Sequence, residues 1–76
     1  MNIVISTSGF VVDLDTGNSF ATNPLGIEVI RMLTEGKEYE EIKKYIMGKY
    51  RMNEFAFESD YKELIKALNK VKSAGH

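Results

Sequence analysis

The sequence predicts a small α+β domain in which three short antiparallel strands precede three helices. A run rich in β-branched and aromatic residues at 10–14 leads into a turn at residues 15–17, which is typical of a hairpin. Asn23-Pro24 then forms a strong helix start, and apolar residues recur at helical spacing from there to Val71. A chain of 76 residues has room for one small core, so we expect a single domain spanning residues 1–76.

Side-chain alternation assigns one face of the second predicted strand to the core. Phe10, Val12 and Leu14 share one face, and Val11 and Asp13 share the other, because successive side chains of a strand point to opposite sides. We expect the face of Phe10, Val12 and Leu14 to be the buried one. The strands are expected at Asn2–Thr7, Phe10–Leu14 and Asn18–Thr22.

The third predicted strand has the features of a sheet edge. Gly17 suits the hairpin loop before it, because glycine adopts the positive φ that a bulge or a tight turn requires. The strand itself is short and mostly polar, with Ser19 and Thr22 among its residues and Phe20 expected to face inward. An edge strand of this kind is protected against aggregation.

The first helix has a clear start and a clear stop. The Asn23 side chain can accept a hydrogen bond from a first-turn amide, and proline at position 24 loses no helical bond. Gly36 predicts a left-handed C-terminal cap, and Gly26 inside the helix indicates close contact with another backbone. The predicted apolar face consists of Leu25, Val29, Met32 and Leu33, widened by Ile27 and Ile30.

Two further helices are expected. The second spans about Glu38–Tyr50, with acids at its start and lysines toward its end, which matches the helix dipole. We expect Arg51–Glu58 to be a connection in which Phe55 and Phe57 clamp the helices, and Ser59 to cap the third helix. The apolar positions are Tyr39, Ile42 and Ile46 in the second helix and Tyr61, Leu64, Ile65, Leu68 and Val71 in the third.

The sequence lacks the residues that several kinds of catalytic and metal-binding site require. With no cysteine, thiolate catalysis and zinc–thiolate sites are excluded, and the only histidine is the terminal His76, so no serine has a placed general base. Asp13 and Asp15 resemble the start of a calcium loop, but Gly17 comes one position early and Pro24 stands where the bidentate Glu belongs. We therefore expect no enzymatic activity, no metal and no cofactor.

Charge and hydropathy indicate which partners and which cellular location to expect. The formal net charge of −1 removes the overall attraction to phosphate on which non-specific nucleic-acid binding relies, so we expect no nucleic-acid partner. Lys62, Lys66 and Lys70 recur along one side of the third helix, and we interpret them as a solvated face because Glu63 lies beside them. The short apolar run at residues 3–5 is neither a signal peptide nor a membrane span, so we expect a cytoplasmic location.

The order of these elements resembles the PqqD-like family of small peptide-binding proteins, the RiPP recognition elements. The resemblance rests on the segments 23–26, Asn-Pro-Leu-Gly, and 36–42, Gly-Lys-Glu-Tyr-Glu-Glu-Ile, which match an Asn and a Gly that open the first helix and a Gly before Glu-Glu-Ile that opens the second. It covers about residues 9–71. The family's three strands and three helices have a winged-helix-like layout, and its members bind the leader segment of a precursor peptide along the third strand.

The resemblance implies a site and partners. The edge would be Asn18–Thr22, with Asn18, Ser19, Phe20, Ala21 and Thr22 supplying main-chain groups, and the third helix would form the opposite wall through Ile65, Leu68, Asn69 and Lys72. The partners implied are a precursor peptide and a modifying enzyme, often a radical-SAM protein. The C-terminal residues 72–76 depart from the family pattern of a Gly followed by apolar residues. Two alternatives stay open: a winged-helix nucleic-acid binder, and a protein-association domain with an apolar patch around Phe55 and Phe57.

Overall fold

Three antiparallel strands come first in the chain and three helices follow, which confirms the predicted α+β architecture. The computed structural model describes residues 2–73, with side chains from residue 2 to residue 71. The turns take up residues at the ends of the predicted strands, so each strand is shorter than expected. The elements are β1 (Ile3–Ile5), β2 (Phe10–Asp13), β3 (Ser19–Ala21), α1 (Pro24–Thr34), α2 (Tyr39–Tyr50) and α3 (Glu54–Ser73).

The prediction of which β2 face enters the core is wrong. Val11 is fully buried and Asp13 is only 3% exposed, whereas Phe10 and Leu14 are 48% and 56% exposed. Phe10, Val12 and Leu14 therefore belong to the outer face of the sheet. The buried carboxylate is what defeats the sequence argument, because an aspartate normally marks the solvated side of a strand.

The strand register explains why Val11 is the buried residue. The sheet has the order β1-β2-β3, and Val11 lies opposite Ile5 on one side and opposite Phe20 on the other. Both neighbours pack against the core, which confirms the inward orientation of Phe20. Asp13 shares this face, and its Oδ1 accepts the N–H of Asp15 at 2.9 Å, so the following turn supplies one hydrogen bond to the buried carboxylate.

A bulge closes the β2–β3 hairpin. The N–H of Gly17 donates to Asp13 O at 2.7 Å, and the N–H of Asp13 donates to Asn18 O at 2.9 Å, so two residues oppose one. Gly17 has a φ of 78°, the positive value predicted from the sequence. β3 is thereby fixed as an edge strand of the sheet.

Both predicted ends of α1 are confirmed. Asn23 Oδ1 accepts the N–H of Gly26 at 2.8 Å, and Pro24 is the first helical residue. At the other end Gly36 has a φ of 82° and donates its N–H to Leu33 O at 3.1 Å, which is the left-handed cap that the sequence predicts.

Position 26 requires glycine because a neighbouring side chain, not a neighbouring backbone segment, leaves no room for a Cβ atom. A Cβ added at this position would lie 2.0 Å from Thr22 Oγ1 and 3.1 Å from Thr22 Cβ. The closest approach is therefore made by the side chain of Thr22, which joins β3 to α1. The prediction of a close contact is confirmed, but its expected partner, another backbone segment, is wrong. The tight packing joins the end of β3 to the first turn of α1.

The third helix begins six residues earlier than predicted. Asn53 Oδ1 accepts the N–H of Ala56 at 2.7 Å, so Asn53 caps the helix and the predicted cap Ser59 lies inside it. Phe57 is fully buried, as a clamping residue should be, but Phe55 is 83% exposed. The expected eight-residue connection is only residues 51–53.

One core holds the sheet and the three helices together. In α1 the buried arc is centred on Val29 and Ile30, whereas the predicted Leu25, Met32 and Leu33 are partly buried. None of the helices within residues 2–73 has the length and apolar character needed to cross a membrane. The largest fully buried side chains are Phe57, Ile30, Ile42, Ile46, Val11 and Val29.

Candidate functional site

An open groove runs between β3 and α3. It consists of two adjoining hollows of about 220 and 300 Å³, which share Phe20 and Ala67 in their lining. The groove is lined by residues 18–22 of the third strand, by Asn23, Leu25 and Gly26 at the start of α1, and by Asp60, Glu63, Leu64, Ala67, Lys70 and Val71 of α3.

The free edge of β3 directs main-chain groups along this groove. Asn18 and Thr22 are hydrogen-bonded to β2, with Asn18 O accepting at 2.9 Å and Thr22 N–H donating at 2.9 Å. In an antiparallel pair, hydrogen-bonded positions alternate with positions whose groups point away from the partner. With this register Ser19 and Ala21 are the outward positions, and Phe20 is paired to β2. The edge therefore offers two N–H and two C=O groups.

The floor of the groove is apolar, and its rim carries opposite charges at its two ends. Phe20, Leu64 and Ala67 lie between β3 and α3 and give the groove its apolar lining. Asp60 and Glu63 lie in the hollow beside Thr22. Lys70 lies in the other hollow, beside Asn18 and Ser19.

The hairpin is tied to the end of α3, which fixes the width of the groove at that end. Thr16 Oγ1 donates to Val71 O at 3.1 Å, and Asn18 Nδ2 approaches the same carbonyl at 3.4 Å. Thr16 Oγ1 also accepts the N–H of Asn18 at 3.2 Å. These bonds use a carbonyl near the end of the helix, where carbonyls lack an intrahelical partner.

The strand residues of the predicted site lie together along one side of the groove. Asn18, Ser19, Phe20, Ala21 and Thr22 all line the groove. Of these, Ser19 and Ala21 direct main-chain groups to the open side, a distinction that the sequence alone does not make.

The helix half of the predicted site lies elsewhere. Ile65 lines a different hollow, between α2 and α3, together with Tyr39 and Tyr61. Leu68 is a core residue, 4% exposed, and Asn69 is exposed outside the groove lining. The Lys72 side chain lies outside the described residues, as do Gly75 and His76.

The groove-facing residues of α3 were missed because the apolar stripe of the helix does not show which of its two flanks faces β3. Asp60, Glu63, Ala67 and Lys70 lie on one side of the buried stripe, and Ile65 and Asn69 lie on the other. One signal in the sequence distinguishes the two sides. Ala67 is a small residue beside the stripe, where a larger one would fill the space, and a groove needs such a position.

The opposite flank of α3 packs against α2 through a seam formed by Tyr39, Lys43, Phe57, Glu58 and Tyr61. The ring centroids of Tyr39 and Tyr61 are 5.0 Å apart, and those of Phe57 and Tyr61 are 5.6 Å apart. Tyr39 Oη donates to a Glu58 carboxylate oxygen, and this bond raises the pKa of the Tyr39 hydroxyl. Aromatic contacts of this kind stabilise the packing of the two helices.

Charged pairs outside the groove have structural roles. Lys43 Nζ donates to the Glu54 carboxylate, which lowers the pKa of Glu54, and Lys49 Nζ lies 2.6 Å from Glu28 Oε1. The hydrogen bond from Lys49 lowers the pKa of Glu28. Within residues 2–73, no group of three or more histidine, cysteine, aspartate or glutamate residues is arranged to hold a metal ion.

Comparison with known proteins gave no match to a family model, to a curated protein or to a solved structure.

Proposed function

We propose that this domain is a non-catalytic chaperone that binds the leader segment of a precursor peptide as an added strand along β3. The observation that carries the proposal is the open edge, where Ser19 and Ala21 direct main-chain N–H and C=O groups along a groove walled by α3. Adding a strand to such an edge is a recurring mode of peptide recognition, in which the main chain gives affinity and alternate side chains give specificity.

The free energies of the individual contacts indicate that the β3 edge and the apolar floor of the groove must both contribute to peptide binding. Four main-chain hydrogen bonds contribute about 0.5–1.5 kcal/mol each, which roughly matches the lower end of the about 4–15 kcal/mol cost of association. Burying one or two apolar side chains on the floor adds about 1.5–3 kcal/mol each. A peptide that places at least one apolar side chain on the groove floor therefore binds measurably, whereas a wholly polar one does not.

The proposed partners are a precursor peptide and the enzyme that modifies it, with the radical-SAM class as the first candidate. This part of the proposal is supported by the family resemblance of the sequence segments 23–26 and 36–42. The structure gives a local reason for two residues of the first segment. Asn23 caps α1, and Gly26 is the residue that the Thr22 side chain tolerates.

The two alternatives have less support. A nucleic-acid reader needs a concentrated basic face, whereas on α3 Asp60 and Glu63 accompany the exposed lysines. The association domain was expected to use a patch around Phe55 and Phe57, but Phe57 is fully buried and Phe55 remains as a single exposed side chain of that pair.

Substitution at Ala21 tests the proposed strand addition. Binders are first selected from a displayed library of random twelve-residue peptides, and their affinities are measured by calorimetry. Ala21→Pro removes an N–H that faces the groove without removing a bond of the hairpin, and proline is tolerated on edge strands. We expect it to weaken binding about tenfold or more, because a carbonyl of the peptide loses its donor.

The matched control is Ala21→Val, which changes the same exposed position but keeps the amide. We expect it to bind the selected peptides within about twofold of the unmodified domain. Thermal unfolding of the proline variant shows whether the hairpin is intact. Peptides that bind a folded Ala21→Pro domain as tightly as the original would contradict strand addition.

A further inference from the structure

The two ends of the groove carry opposite charges that the fold itself does not use. Asp60 and Glu63 lie beside Thr22, and Lys70 lies beside Asn18 and Ser19. All three charged side chains are exposed, and none of them takes part in an ion pair among residues 2–71. They are therefore available to a bound chain.

The spacing of these charges fits an extended chain. At about 1.5 Å per residue of helix, Lys70 lies about 10 Å along α3 from Glu63 and about 15 Å from Asp60. An extended peptide rises about 3.3 Å per residue, so two side chains four positions apart are separated by about 13 Å. Side chains at positions i, i+2 and i+4 of an added strand point to the same face, here the face of α3.

Other charges near the groove do not cancel this polarity. The start of α1 contributes about half a positive charge beside the acidic end, which two carboxylates outweigh. Lys66 lies between Glu63 and Lys70 in sequence but does not line the groove. The residues of the third strand that line it, Asn18 to Thr22, are uncharged.

We propose that the groove selects an extended segment with a basic side chain at position i, an apolar one at i+2 and an acidic one at i+4, running antiparallel to β3. The inference rests on the proposed function and specifies its ligand. Antiparallel pairing is the more stable arrangement per residue, and it places the basic N-terminal side near Asp60 and Glu63. The apolar side chain lies on Phe20 and Ala67, and the acidic one reaches Lys70.

Selection from the displayed library of random twelve-residue peptides tests this pattern. The library is panned against the unmodified domain and against a charge-exchanged variant carrying Asp60→Asn, Glu63→Lys and Lys70→Glu. Only peptides that lose binding to Ala21→Pro are counted, so that each counted peptide uses the edge. We expect the unmodified domain to enrich basic-apolar-acidic segments and the exchanged variant to enrich acidic-apolar-basic ones.

Measured affinities of peptides with the two charge orders give the size of the preference. A peptide with the proposed order is expected to bind the unmodified domain about five- to tenfold more tightly than one with its two charges exchanged, because each exposed ion pair contributes a factor of about two to five. The single variant Lys70→Glu should lose the preference for an acid at i+4. The control Lys66→Glu makes the same charge change outside the groove and should keep it.

Each outcome decides a different claim. The charge inference would be overturned if the edge-dependent peptides showed no charge order. It would also be overturned if their charge order did not invert in the exchanged variant or did not disappear in Lys70→Glu. Strand addition would still stand in each of these cases. A selection that yields no peptide sensitive to Ala21→Pro would contradict the proposed function, and the inference with it.

Discussion

The two flanks of α3 differ in a way that separates structure from binding. Toward α2 the helix is held by the seam, in which three aromatic rings contact one another and Tyr39 bonds to Glu58, with the hollow of Ile65 beside it. Toward β3 the hydrogen bonds of the described residues tie the helix at its end, through Val71 O, and a groove opens beside Ala67. One helix thus stabilises the fold with one flank and is available to a ligand with the other.

Replacement of Phe57 or Phe55 of α3 by alanine gives the largest expected difference in the free energy of unfolding. Phe57→Ala should lower the free energy of unfolding by about 3–5 kcal/mol, because a fully buried ring of the seam is replaced by a cavity. Phe55→Ala, two residues away on the same helix, should change it by less than about 0.5 kcal/mol, because that ring is 83% exposed.

Urea denaturation measures both variants. Equal losses at the two positions would mean that the start of α3, and with it the seam, is assigned wrongly.

The β3–α1 junction at the acidic end of the groove gives a smaller effect. Gly26→Ala places a methyl group 2.0 Å from Thr22 Oγ1, and we expect it to cost about 1–3 kcal/mol through overpacking. Adding Thr22→Ala removes that hydroxyl and should restore most of the loss. Chemical denaturation of the single and double variants checks the coupling, and strictly additive effects would show that the contact does not matter.

The ion pair between α1 and α2 gives the smallest effect, which is present near neutral pH and is lost in acid. Because the hydrogen bond from Lys49 lowers the pKa of Glu28 below its ordinary value of 4.5, the stabilisation is present above that pH. It is lost as the pH falls through the lower pKa of the folded state. Glu28→Gln should therefore reduce stability by less than about 1 kcal/mol near pH 7 and should lack this part of the acid loss.

Urea midpoints between about pH 3 and pH 7 measure the difference. Glu35→Gln is the matched control, since Glu35 forms no ion pair among the described residues. A Glu28→Gln profile parallel to that of the unmodified domain would contradict the assigned pair.

Local capping and turn chemistry could be predicted from the sequence because it depends on neighbouring residues. The Asn23 cap, the Gly36 stop and the positive φ of Gly17 each depend on the residue itself and its near neighbours. The predicted cap Ser59 is wrong because Asn53 caps α3, and this earlier start brings Phe57 into the core.

Tertiary choices could not be predicted in the same way. The core face of β2 carries Asp13, whose carboxylate is bonded to the following turn, so polarity alone indicated the opposite face. The strand half of the site follows from the chain order and the resemblance. The helix half does not, because the small residue Ala67 is a weak signal and the fold supplies the neighbour of each flank.

The most direct test of the central claim is amide chemical-shift mapping with a peptide selected from the displayed library. The account predicts that the largest perturbations fall on Ser19 and Ala21, with further ones along α3 near Ala67 and Lys70. Residues of the seam, Tyr39 among them, should stay unperturbed. Perturbations centred on α2 and the seam, with residues 18–22 silent, would contradict the groove even if the peptide bound.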